Sequence, residues 1–187
     1  ITKREEGFVA KMLENAPVLG PIVKASRRAF NSFLDTQRME VWSYWNRKWE
    51  GTGKSWKDYD DLAAFINHAT GRGDIPKFLG GDRAGAWLNA TFFAPRYIMS
   101  HLQTPADLLV STPAVRRVAA RNLTAFVITG VAGLGLLKLA GAEVEDDPRS
   151  SDFGKGKFGN TRFDFWGGYL PYARFITQMA TGERKVT

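Results

Sequence analysis

The chain contains no cysteine, which excludes disulfides and thiolate metal sites. Histidine is almost as scarce, with only His68 and His101. They fall on separate expected helices, and each is expected to be a polar packing residue rather than a ligand or base. No pair of carboxylates stands out as an acid–base couple, and no Ser/His/Asp order can be defended. No enzyme activity, catalytic residue, cofactor or metal is therefore expected. There is no polybasic tail, because the basic residues are spread along the chain. The chain opens at Ile1 with no visible signal peptide, and is expected to be a piece of a longer polypeptide.

Long apolar runs are also rare, and the one that exists organises the rest. Residues 123–142 read LTAFVITGVAGLGLLKLAGA, and no charge lies between Arg121 and Lys138. A membrane span wants about 20 apolar residues. The run reaches that length only if Lys138 lifts its ammonium to an interface along its aliphatic stem. It stands on the boundary between a span and a buried helix, and the covered state is the expectation. The residues in question are Phe126, Val127, Thr129, Gly130, Gly133, Leu134, Leu137 and Lys138. Glycine in a helix interior costs up to about 1 kcal/mol relative to alanine. Thr129 and Gly133 have the small-xxx-small spacing that suits tight helix pairing. Arg116, Arg117 and Arg121 form a basic cluster just before the run, suited to an anionic surface.

What surrounds the run is aromatic and basic. There are 13 Phe, 6 Trp and 5 Tyr, and the formal net charge of +7 favours nucleic acid, anionic lipid or an acidic protein face without choosing among them. Hydrophobic content of 44% is too high for disorder. The fold expected is mainly α: an irregular multi-helix assembly with one long apolar helix, 113–142, and a small β-hairpin, 154–166.

In chain order, Thr2 caps an expected helix carrying Phe8, Val9, Met12 and Leu13. Pro17, Gly20 and Pro21 break it, and Pro21 suits the first turn of a second helix, 22–49. Trp42, Trp45 and Trp49 on that helix are expected to meet a partner, with arginines between apolar positions. Residues 1–55 are thus expected as an N-terminal arm of amphipathic helices, and 56–187 as a helical domain. Ser55 caps the next helix, 56–69, with Asp58 in the capping-box position. Residues 84–93 read as a short helix. Pro95 starts another, and Thr104-Pro105 and Thr112-Pro113 are two further cap-then-proline starts. Residues 143–152 form an expected solvated acidic loop. Gly159-Asn160, flanked by Lys155, Lys157, Thr161, Phe163 and Phe165, reads as a hairpin turn. Phe163, Phe165 and Trp166 are expected partner contacts. A last helix runs over 169–181.

Several tempting motifs fail on context. GTGKSW at 51–56 lacks the glycine and the preceding strand of a phosphate loop. GVAGLG at 130–135 has the dinucleotide spacing reversed. Arg72-Gly73-Asp74 reads as a turn rather than an adhesion ligand. The acidic loop lacks the EF-hand pattern.

Four strings occur in order: INHATGRGD (66–74), LNATFFAPRYIMSHLQT (88–104), LKLAGAEVEDDPRSSDFGK (137–155) and GNTRFDFWGGYLPYARF (159–175). Together they resemble the large polyvalent protein associated domains of giant multi-domain proteins in tailed phages and prophages. The resemblance covers roughly residues 62–184 and carries no active-site residue. It implies a virion context: a segment of an internal, ejection-type protein, packaged inside the capsid or near the tail and reaching the host envelope on ejection. The expected partners are other virion proteins of portal or ejection type, further copies of the chain, the host membrane, and phage DNA through non-specific charge contacts. Two other readings stand beside it: a basic DNA-binding or packaging module, and an accessory domain of a packaged enzyme.

Overall fold

A computed structural model of the chain describes Pro17, residues 19–81 and residues 94–183. The expected helices at 1–16 and 84–93 lie outside the described residues. Among those described, the chain is mainly helical, with five α-helices, a short 3-10 turn at Lys77–Leu79 and a small antiparallel sheet. It divides into two units between Ala120 and Arg121. The expected division at 55 is not seen: the helix of the supposed arm shares one core with residues of the next helix, 56–69, and with the start of the long apolar helix.

The first unit begins with α1, Gly20–Trp49, which has Pro21 in its first turn and Arg47 and Lys48 in its last. Proline costs nothing there, since the amide it lacks has no partner inside the helix. The helix α2, Trp56–Ala69, starts at Ser55 with the full capping box. The Asp58 carboxylate accepts from the Ser55 amide at 2.8 Å, and the Ser55 hydroxyl accepts from the Asp58 amide at 3.3 Å. Next comes α3, Pro95–Val110. The expected break at Thr104-Pro105 does not occur, and the two short helices are one. Proline normally disrupts a helix interior by removing a hydrogen bond and clashing with the preceding turn. Here α3 packs against α2, and that tertiary contact overrides the local preference.

The core of this unit joins Trp45 and Trp49 of α1, Leu62, Phe65 and Ile66 of α2, and Val115, Val118 and Ala119. The last three lie in the first turns of α4, Pro113–Leu139. Thr112 opens α4 as expected, its carbonyl accepting from the Arg116 amide at 2.9 Å. Asp61 of α2 accepts from the Thr112 amide at 2.7 Å, and so ties that start to the core.

The second unit contains residues 121–139 of α4, the sheet, and α5, Leu170–Thr181. The sheet is a meander of β1 (Glu143–Val144), β2 (Gly156–Phe158) and β3 (Thr161–Phe163). Val144 pairs with Gly156, and Lys157 with Arg162. Gly159 takes φ 54°, the left-handed geometry of a two-residue turn with glycine first. The hairpin is where the sequence puts it, and β1 adds a strand it did not announce. The loop between β1 and β2 is not the solvated segment expected. Ser150 is fully buried, and the Asp147 and Asp152 carboxylates are largely covered. Arg149 pairs with Asp147 and Glu183, and Arg162 with Asp152 at 2.9 Å. Nearby cations let these carboxylates leave water.

Candidate functional site

The feature that most needs a functional account is the second half of α4. Phe126, Gly130, Gly133 and Leu137 follow the i, i+4, i+7, i+11 spacing of one helix face. That face is covered by the unit's own tail. Phe126 meets the rings of Trp166 and Tyr169 at centroid distances of 6.0 and 5.7 Å. The Trp166 indole lies on Gly130, the Phe165 ring lies on Gly133, and Leu137 lies on Gly156. The indole N–H of Trp166 donates to the Gly154 carbonyl at 2.8 Å, which fixes the ring over the helix. The glycines therefore seat aromatic rings, not the backbone of another helix as the Thr129–Gly133 spacing suggested. Thr129 itself is exposed.

The other face is bare. Val127, Ile128, Val131, Leu136 and Leu139 are all exposed. Leu134 is half-buried at the margin. Arg121 and Lys138, both exposed, bracket this face at its two ends, with no carboxylate between them. At about 1.5 Å per residue the uncharged segment 122–137 is roughly 24 Å long. A hydrocarbon core is about 30 Å thick, so the segment spans it only if Lys138 reaches back to the interface. Among the described residues α4 is the one helix long and apolar enough to cross a membrane, and almost none of its most apolar stretch is buried. The covered state expected from sequence is thus met on one face only.

The remaining expected contacts are divided. Trp45 and Trp49 are buried, and Trp42 packs against the same core, in edge-on contact with Tyr59. These tryptophans serve the interior, because α2 and the start of α4 close over the face that carries them. This corrects their expected role as partner contacts. What α1 leaves exposed is a different set, including Phe30, Phe33 and Tyr44. Phe163 and Phe165 are part-exposed, and Phe163 stands edge-on to Phe158 at 6.2 Å. Trp166 is engaged inside the unit. Arg116, Arg117 and Arg121 are exposed, and the Arg116 Nε donates back to the Ser111 carbonyl at 2.7 Å.

One constellation was not foreseen. His68 of α2 donates through Nδ1 to the Asp107 carboxylate of α3 at 2.8 Å. Its other nitrogen, Nε2, is buried, has no hydrogen-bond partner among the described residues, and lies 3.7 Å from an oxygen of Asp74. Burial pulls the imidazole towards its neutral form. The hydrogen bond and charge of Asp107, then those of Asp74, outweigh burial and hold its pKa above the ordinary histidine value. Thirty-nine residues separate His68 from Asp107, so no spacing rule could pair them. His101 behaves as expected: its Nδ1 donates to the Tyr97 carbonyl at 2.8 Å. The Arg72-Gly73-Asp74 segment is not itself a turn but an irregular stretch docked on α3, just past the turn at Thr70 and Gly71. Arg72 reaches Asp35, and the Asp74 backbone exchanges two hydrogen bonds of 2.8 Å with the Gln103 side chain.

Comparison with protein families, curated proteins and solved structures finds no match to the chain.

Proposed function

We propose that the chain is a structural and delivery segment of a large internal virion protein of a tailed phage. It is packaged in the particle, docks to other virion subunits in several copies, and meets host membrane lipid through α4 during genome delivery. The phage context rests on the four ordered strings of the sequence. The observation that supports the delivery role is the bare face of α4, apolar in the middle and cationic at both ends. Burying five such side chains is worth on the order of 5 kcal/mol even if each is only partly covered. An aliphatic face closed by Arg121 and Lys138 matches an acyl layer bounded by anionic headgroups.

The test is flotation of the full chain with vesicles of anionic phospholipid, against vesicles of neutral phosphatidylcholine. Binding that is strong on anionic vesicles and lost in Ile128→Asp and Val131→Asp supports the reading. Equal behaviour of these variants and the parent chain overturns the membrane step. A salt-sensitive association with DNA that survives both substitutions favours the DNA-packaging reading instead.

A further inference from the structure

We propose that His68 is a proton-dependent latch that holds the segment 72–74 onto α3. As imidazolium it is clamped between two carboxylates, Asp107 on one side and Asp74 on the other. As neutral imidazole it can serve only Asp107, and its second nitrogen faces Asp74 with a lone pair and no proton.

The argument is geometric. Nδ1 must donate in both states, because its neighbour at 2.8 Å is a carboxylate oxygen. Asp107 is itself held in place, its other oxygen accepting from the Ser111 hydroxyl at 3.3 Å. The proton that comes and goes is therefore the one on Nε2. That atom is shut off from water, and the carboxylate that faces it is Asp74, 3.7 Å away. A buried nitrogen without a partner is destabilising, and protonation turns that loss into an ion pair. The Asp74 carboxylate is mostly exposed, which gives the proton a way in and lets the segment move.

Arg96 of α3 donates through Nη1 to the Gly73 carbonyl at 3.2 Å, and the remaining charged groups nearby are engaged with other partners. Arg38 and Arg72 both pair with Asp35 of α1. Asp61, on the same helix as His68, pairs with Lys57. His101 on α3 is bonded to the backbone of its own helix. No nucleophile or third ligand stands beside Nε2, and no cluster of three metal-binding side chains occurs among the described residues. The constellation is a clamp rather than a catalytic dyad or a metal centre.

The segment is also held by bonds that do not depend on His68: Gln103 Nε2 donates to the Asp74 carbonyl at 2.8 Å and Arg96 Nη1 to the Gly73 carbonyl at 3.2 Å. The Gly73 amide donates to the Arg96 carbonyl at 3.1 Å, and the Asp74 amide to Gln103. Those two amides report whether it is docked. A folded-state value raised above 6.5 means that the stabilisation is complete below that pH and is lost as pH climbs through the higher value.

The experiment is an NMR titration of the full chain, read at the imidazole of His68 and at hydrogen-exchange protection of the Gly73 and Asp74 amides. With two histidines in the chain, His101→Gln assigns the signals. Protection is expected to fall as His68 deprotonates. In His68→Gln it becomes independent of pH over that range. Asp74→Asn alters a mostly exposed carboxylate, and it shifts the His68 titration to lower pH. A His68 titration unmoved by Asp74→Asn, or constant protection across it in the parent chain, overturns the latch.

Discussion

The indole of Trp166 rests on Gly130, so close that a β-carbon there would stand 2.9 Å from the ring. Gly135, less than two turns further along α4, faces open space. Two glycines of one helix thus have opposite reasons to be there. Gly130→Leu is expected to lift the ring and cost about 1–3 kcal/mol in urea unfolding. Gly135→Ala is expected to stabilise the chain by up to about 1 kcal/mol through helix propensity alone.

Gly73 is constrained by backbone rather than by a ring. A β-carbon there would meet the Ser100 amide nitrogen and come within 2.6 Å of the Arg96 carbonyl oxygen. Neither atom can move without disturbing the first turns of α3. Gly73→Ala is therefore expected to cost about 3 kcal/mol, at the upper end for overpacking, as measured by the thermal midpoint. Hydrogen exchange in α3 should rise with it.

Leu62 is fully buried between three helices, whereas Trp56 on the same helix is 87% exposed. Leu62→Ala is expected to lose about 2–5 kcal/mol. Trp56→Ala, which removes a far larger side chain, should stay within about 0.5 kcal/mol of the parent. Denaturant unfolding of the two variants side by side checks this.

At the sheet, burial raises the affinity of Asp152 for its proton. The hydrogen bond and charge of Arg162, then Lys155, outweigh that and hold the carboxyl below its ordinary value. A depressed folded-state value contributes stability above the unfolded value of 3.8 and loses it as pH falls through the folded one. Arg162→Gln is expected to move the Asp152 titration upward, read from its carboxyl carbon shift. An unmoved titration would mean that the pair does not form in solution.

The local punctuation of this chain is readable residue by residue. Pro21, Ser55 with Asp58, Pro113 and Gly159-Asn160 each start or turn an element where the sequence indicates. Pro105 is the exception, because a proline is a local signal and α2 overrules it from outside. The tryptophans of α1 carry the opposite lesson. Their spacing shows that they share a face, but not whether that face looks inward or at a partner. The same holds for residues 123–142, whose composition allows a span, a core helix or the half-covered helix found.

By itself the sequence determined a mainly helical chain, its caps and turns, the hairpin, and one apolar helix of marginal length. Those properties arise from backbone preferences and side chains within about four positions of one another, so they are written in short strings. Only the tertiary structure decided which face of α4 receives Phe165 and Trp166, which tryptophans are interior, and that His68 stands between Asp107 and Asp74. Most contacts of that kind join residues far apart in the chain, as His68 and Asp107 are. They exist only once the helices have packed, and no periodicity announces them.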